Sequence, residues 1–154
     1  TLAAHPETGL FTEYASFDGK PYAVSFNPNA HLSAFDSFRV IQNIAVDYLW
    51  FGKDERHIER VNKLLGFYDS QSTIVAVYTH DGKPQVSYGA EALVAMNAVG
   101  ATISTEDFAK RFVEDLWNQP TPRGQWRYYN GLLHMLGLLH VSGEFKIYGN
   151  PNLK

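Results

Sequence analysis

Four polar side chains, Asp36, Arg39, Asn43 and Asp47, recur at three- and four-residue intervals, so on a helix they share one face. An aspartate beside an arginine at a helix start is favoured in its ionised form. A carboxylate held in that form is the first place in the chain where chemistry competes with structure. The same residues also have a structural reading. Asp36 could cap the helix or be the acidic partner of Ser33 in a capping box, with Arg39 as a local ion pair on a solvated face. Spacing alone leaves both readings open.

A second cluster, Trp126-Arg127-Tyr128-Tyr129-Asn130, crowds aromatic and polar groups at the start of an apolar helix. A tyrosine hydroxyl there can orient a carboxylate or a water, and the same rings can anchor a core. His134 and His140 are six residues apart in that helix, a spacing that does not put two metal ligands on one face, so they are expected to be buried or half-buried, hydrogen-bonded histidines. No glycine-rich loop has phosphate-cradling spacing, no serine sits in a nucleophile elbow, and no ligand cluster suggests a metal. No cofactor is implied.

These candidates must be held by helices. From Phe35 to Phe51, Phe38, Ile41, Ala45, Tyr48 and Leu49 recur at helical spacing, and Gly52 stands as a stop. Asp54 is placed to cap a second helix whose buried stripe is Ile58, Val61, Leu64, Leu65 and Tyr68. Thr73–Thr79 and Lys83–Ser87 read as a short hairpin closed at Asp81-Gly82, with Pro84 confining its second strand to an edge. Further helices are expected at Gly89–Val99, at Thr105–Trp117 with Ser104 or Thr105 as cap, and at Tyr128–Val141 ended by Ser142-Gly143. The fold class is therefore all-α, with about five helices and one minor hairpin. Residues 5–34 are rich in turn signals and lack periodicity, and so long an irregular segment suggests that it lines a site.

Composition narrows the function classes. The chain has 154 residues, 45% of them hydrophobic, enough for one domain with a core. A formal charge of −3, with both signs well mixed, offers no basic stripe to nucleic acid. The apolar stretches are too short and too interrupted to span a bilayer, so no membrane partner is expected. With no cysteine there is no disulfide framework or thiol nucleophile, and the compartment stays open between secreted or periplasmic and cytoplasmic. Thr1–Leu10 has neither the basic start nor the apolar run of a signal peptide. Aromatic residues make up 14% of the chain, which suits either a large core or a cleft where rings stack on sugar faces.

Three stretches together resemble glycoside hydrolase family 8. The first is His5-Pro6-Glu7-Thr8-Gly9-Leu10 with Glu13-Tyr14-Ala15-Ser16-Phe17-Asp18-Gly19-Lys20-Pro21. The second is Asp36-Ser37-Phe38-Arg39-Val40 with Asn43-Ile44-Ala45-Val46-Asp47-Tyr48 and Trp50-Phe51-Gly52. The third is Arg127-Tyr128-Tyr129-Asn130-Gly131-Leu132-Leu133 with Val141-Ser142-Gly143-Glu144-Phe145-Lys146-Ile147. They cover nearly the whole chain, from His5 to Tyr148.

The resemblance implies that residues 1–154 form the C-terminal part of an (α/α)6 barrel of six inner and six outer helices, with an acidic cleft and an inverting mechanism. By the same resemblance Asp36 matches the general base, Arg39 the arginine that holds it, and one of Tyr128 and Tyr129, preferably Tyr129, a tyrosine that completes the site. Phe35, Trp126 and Tyr128 are candidate sugar contacts. The glutamate general acid would lie in an N-terminal portion of the barrel outside this chain, possibly another polypeptide. Xylan or xylo-oligosaccharide is the expected substrate; a β-1,4-glucanase of the same family and a non-catalytic helical binding remnant are the alternatives. Exo-acting members carry a Leu-His-Pro turn that blocks one end of the cleft. Tyr88-Gly89-Ala90 stands in its place here, which implies an open, endo-acting cleft.

Overall fold

Apolar residues at helical spacing bury one face of each segment in turn, and the resulting computed structural model describes residues 2–146 and Gly149. Among them are five α-helices: α1 (Arg39–Trp50), α2 (Glu55–Asp69), α3 (Glu91–Ala101), α4 (Ala109–Asn118) and α5 (Arg127–Val141). Ile147 and Tyr148, with which the third family-like stretch ends, lie outside the described residues.

α3 is the hub and packs against α1, α2, α4 and α5. From Ala92 to Gly100 it carries no charge, and every residue except the half-buried Val94 is buried. Small side chains let its neighbours come close. A Cβ added at Gly137 of α5 would stand 3.1 Å from both Ala95 Cβ and Leu116 Cδ2, and one added at Gly100 would collide with Ile41 of α1. The core continues through Phe38, Val61, Leu65, Phe112, Leu116 and Leu133.

The expected first helix is divided. Phe35–Phe38 form a 3₁₀ turn and the α-helix starts at Arg39. Ala34 is the N-cap of that turn and no side chain caps it; Ser33 is instead hydrogen-bonded to the buried Tyr68, so the Ser33–Asp36 capping box does not form. Asp54 does cap α2, its side chain accepting from the Arg56 N–H. α4 begins at Ala109, later than Thr105. The Ser104 hydroxyl donates to Asn62 Oδ1 (2.7 Å) and the Thr105 N–H to the same oxygen (3.3 Å), and these contacts with α2 hold the segment as a turn.

The hairpin is reduced to isolated bridges. Tyr78 pairs with Ser33 and with Pro84, and Thr79 N–H donates to the Lys83 carbonyl across the Asp81-Gly82 turn. Gly82 takes φ +95°, which L side chains rarely adopt, and a Cβ there would also press on Phe67. Pro84 has no N–H to give the ladder, and beyond it the pairing continues only as single bonds, from Gln85 N–H to the Val77 carbonyl (2.9 Å) and from Ala76 N–H to that of Tyr88 (2.8 Å).

Residues 5–34 are irregular, as expected, yet pinned. His80 Nε2 lies 3.2 Å from the Ala3 carbonyl and 2.9 Å from that of Leu10, and the Thr8 hydroxyl donates to the His80 carbonyl. Further on, Glu13 N–H bonds the Leu32 carbonyl (3.0 Å) and Tyr14 N–H that of Ala30 (2.9 Å). The segment therefore doubles back and ends beside the start of α1.

His134 is buried, but its Nδ1 has no hydrogen-bond partner among the described residues, unlike the hydrogen-bonded state expected of it. His140 bonds the Leu136 carbonyl through Nδ1, its ring centroid lies 4.1 Å from that of Phe145, and its buried Nε2 has no partner among the described residues.

Candidate active site

The starts of α1, α3 and α5 and the returning loop meet around a cleft of about 700 Å³. Its wall includes Glu13 and Asn27 from the loop, Phe35 and Asp36 from the 3₁₀ turn, Tyr88 to Glu91 before α3, and Trp126, Tyr129 and Asn130 at α5. Three carboxylates, Glu13, Asp36 and Glu91, thus face one space.

Asp36 is exposed and its Oδ1 accepts from Arg39 Nη2 at 2.5 Å. Among the described residues Oδ2 has no hydrogen-bond donor. The Asp36 N–H points the other way, to Glu13 Oε1 at 3.3 Å. Asp36 therefore does no capping, and one carboxylate oxygen is left for something in the cleft.

Tyr129 comes from the first turn of α5 and donates its hydroxyl to the Phe35 carbonyl at 2.6 Å. Burial pushes its phenol up to about 12; the nearby Asp36 and Glu13 carboxylates add to this and Arg39 opposes it. It is therefore a protonated donor at neutral pH, and all three charged neighbours act on the same hydroxyl. Tyr128, one residue earlier, is 82% exposed and absent from the cleft wall. Of the two tyrosines that the motif could not separate, Tyr129 is the one in the cleft. Phe35 and Trp126 are both exposed and line it, as sugar-stacking rings would, whereas Tyr128 does not.

Glu13, Asn27 and Glu91 were not singled out as site residues from the sequence, and Asn130 only as a member of the cluster at the start of α5. Asn27 Nδ2 donates to Glu13 Oε2 (3.0 Å), and Asn130 Nδ2 donates to Glu91 Oε2 (2.8 Å), tying α5 to α3 at the cleft. Among the described residues no group of three or more His, Asp or Glu could hold a metal ion, and no helix is long and apolar enough to cross a membrane.

No family model matches the chain. It is 39% identical, over 153 residues, to the reducing end xylose-releasing exo-oligoxylanase of Halalkalibacterium halodurans, and 33% identical, over 149 residues, to the reducing-end xylose-releasing exo-oligoxylanase Rex8A of Paenibacillus barcinonensis. These alignments cover 96% and 95% of this chain but only 38% and 39% of the relatives. The crystal structure of a GH8 xylobiose complex from Teredinibacter turnerae superposes with a TM-score of 0.90 at 41% identity, over 94% of this chain and 37% of that one. The chain is thus similar, over nearly all of its own length, to part of a glycoside hydrolase family 8 protein.

It spans less than two fifths of the length of the curated family 8 relatives named here. Its five helices correspond to part of the (α/α)6 barrel of its structural neighbours. At the position where the resemblance puts an exo-blocking turn, Tyr88, Gly89 and Ala90 form cleft wall, and of the three only Tyr88 carries a large side chain.

Proposed function

We propose that this chain supplies the general base of an inverting hydrolase of β-1,4-linked xylan or xylo-oligosaccharides, acting as the C-terminal part of a complete family 8 barrel. The observation that carries the reading is the state of Asp36. Its carboxylate is exposed to a sugar-sized cleft, paired through Oδ1 with Arg39 and free at Oδ2.

Inversion needs a carboxylate that takes a proton from water as the water attacks the anomeric carbon. On the opposite face an acid protonates the departing glycosidic oxygen, and the two carboxyl groups stand about 6.5–9.5 Å apart. Asp36 suits the first role because Arg39 holds one carboxylate oxygen in place and leaves the other for the water. Tyr129, held as a donor to the Phe35 carbonyl, borders the same space. Glu13 and Glu91 are poor general acids, since Glu13 accepts at both oxygens and Glu91 is held by Asn130. The acid is therefore assigned to the portion of the barrel outside this chain.

Two features support that division. The chain matches about two fifths of its curated relatives, and α5 presents Tyr128, Leu132, Met135 and Leu139 to solvent at helical spacing, an apolar stripe suited to burial against further helices. The chain alone is expected not to turn over xylan. The small Gly89-Ala90 segment supports an open cleft, from which long xylan would yield mixed oligomers early in digestion. Release of single xylose units alone from reducing ends would reverse that reading of the cleft.

The test is Asp36→Asn in the complete barrel. It keeps the shape and removes the basicity, so turnover of xylo-oligosaccharides should drop by about 10²–10⁴-fold while binding by titration calorimetry is retained. Near-parental turnover would make Asp36 a structural residue and end the proposal.

A further inference from the structure

Phe35 C=O and Asp36 N–H belong to one peptide group, and both of its polar ends are held by side chains distant in sequence. The Tyr129 hydroxyl donates to the carbonyl at 2.6 Å and Glu13 Oε1 accepts from the N–H at 3.3 Å. A peptide group is planar, so its remaining freedom is rotation as a unit about its flanking bonds. That rotation would swing the Asp36 side chain within the cleft. Holding the oxygen alone leaves the N–H end free to turn. Holding both ends fixes the plane.

We infer that Glu13 is a positioning residue, which fixes the peptide group before Asp36 and thereby aims the Asp36 carboxylate. This rests on the reading of Asp36 as the general base. The 3₁₀ turn needs such help, because the first N–H groups of a helical turn have no acceptor inside it and the N-cap here is Ala34, without a capping side chain. Glu13 provides the acceptor from 23 positions earlier in the chain. It is itself well anchored. Its N–H bonds the Leu32 carbonyl, and its Oε2 takes the Asn27 amide, whose own oxygen receives the Asn29 N–H at 3.2 Å. Asn27 and the doubled-back loop thus hold the carboxylate that holds the peptide.

A residue acting this way should affect turnover more than binding, because a small misplacement of a reacting group raises the barrier without removing sugar contacts. Displacement on the order of 1 Å is known to cost about 100-fold. In the complete barrel Glu13→Ala should lower kcat about 10- to 100-fold with KM little changed. Glu13→Gln gives up the acceptor for the Asn27 amide but keeps an oxygen for the Asp36 N–H, should fold where the alanine variant fails, and should recover most of the kcat that Glu13→Ala loses. In an Asp36→Asn background, where the carboxylate no longer serves as base, Glu13→Ala should cause no further loss. Three results overturn the inference: parental kcat in Glu13→Ala, a loss in Glu13→Gln as large as in Glu13→Ala, or full additivity with Asp36→Asn. The second of these would mean that the charge of Glu13 acts on its own account. Parental Glu13→Ala with an inactive Asp36→Asn would break this inference alone, whereas an active Asp36→Asn would break the assignment of the base.

Discussion

The starts of α1 and α2 each carry an aspartate, exposed at Asp36 and half-buried at Asp54, with an arginine two or three residues later, and the two pairs are built for different ends. At α2, Asp54 Oδ1 accepts the Arg56 N–H at 2.9 Å, and Arg56 Nε and Nη2 bond both carboxylate oxygens. Those bonds, with that of the Arg56 side chain first, hold the Asp54 carboxyl at about 2. At α1 the capping work is passed to Glu13, the preceding carbonyl is taken by Tyr129, and Arg39 engages only one oxygen of Asp36. A carboxylate becomes available for chemistry when other groups take over the structural work at its position.

The largest effect that tests this contrast is on turnover. Asp36→Asn and Asp54→Asn are the same chemical change, yet in the complete barrel the first should cost about 10²–10⁴-fold in kcat and the second should leave kcat within about twofold. Equal losses in the two variants would erase the distinction. Stability should respond in the opposite order. Asp54→Ala removes a helix cap and should lower the melting temperature by a few degrees, whereas Asp36→Asn, which removes no cap, should leave it unchanged or slightly raised. A larger drop for Asp36→Asn would show that its side chain is structural after all.

Acid should also separate the two ends. The folded Asp54 carboxyl lies at about 2, below its ordinary 3.8, so its contribution to stability is present above pH 3.8 and is lost as pH falls toward about 2. Thermal melts of the parent and of Asp54→Ala should converge over that range, and melts that stay parallel would refute the linkage. The smallest effect concerns Tyr129→Phe, which frees the Phe35 carbonyl at the start of α1 and has no counterpart at α2. That carbonyl is near water and can be resolvated, so urea denaturation should show a loss of about 0.5–1 kcal/mol. A loss several times larger would mean that the hydroxyl supports the core rather than the peptide before Asp36.

The helices were legible because their information is local. The stripes of α1 and α2 and the cap at Asp54 depend on residues within a turn or two of one another. What depends on distant partners was not. The Ser104 hydroxyl does accept the Glu106 N–H, but Asn62 in α2 holds both Ser104 and Thr105, and α4 starts late. The apolar spacing of Phe35–Phe51 is the same for a 3₁₀ turn as for one more turn of α-helix, so the break at Arg39 left no trace. The family-like motifs pointed to Asp36 and Arg39, but not to which of Tyr128 and Tyr129 faces the cleft. Glu13 stood inside a stretch that carried the resemblance, and still its contact with Asp36 depends on a loop that doubles back through backbone bonds to Ala30 and Leu32. Those bonds have no side-chain signature.

The uncharged stretch of α3 bears on how the chain is made. A helix buried on every side has no polar face to show water, and of the four helices that wall it only α1 and α2 precede Ala92–Gly100 out of the ribosome. Its other walls, α4 and α5, follow by up to about forty residues, a delay of several seconds at ordinary rates of synthesis. During that interval a sticky apolar surface lies open on the nascent chain. Chaperone capture should therefore peak as the segment between α3 and α5 is being translated.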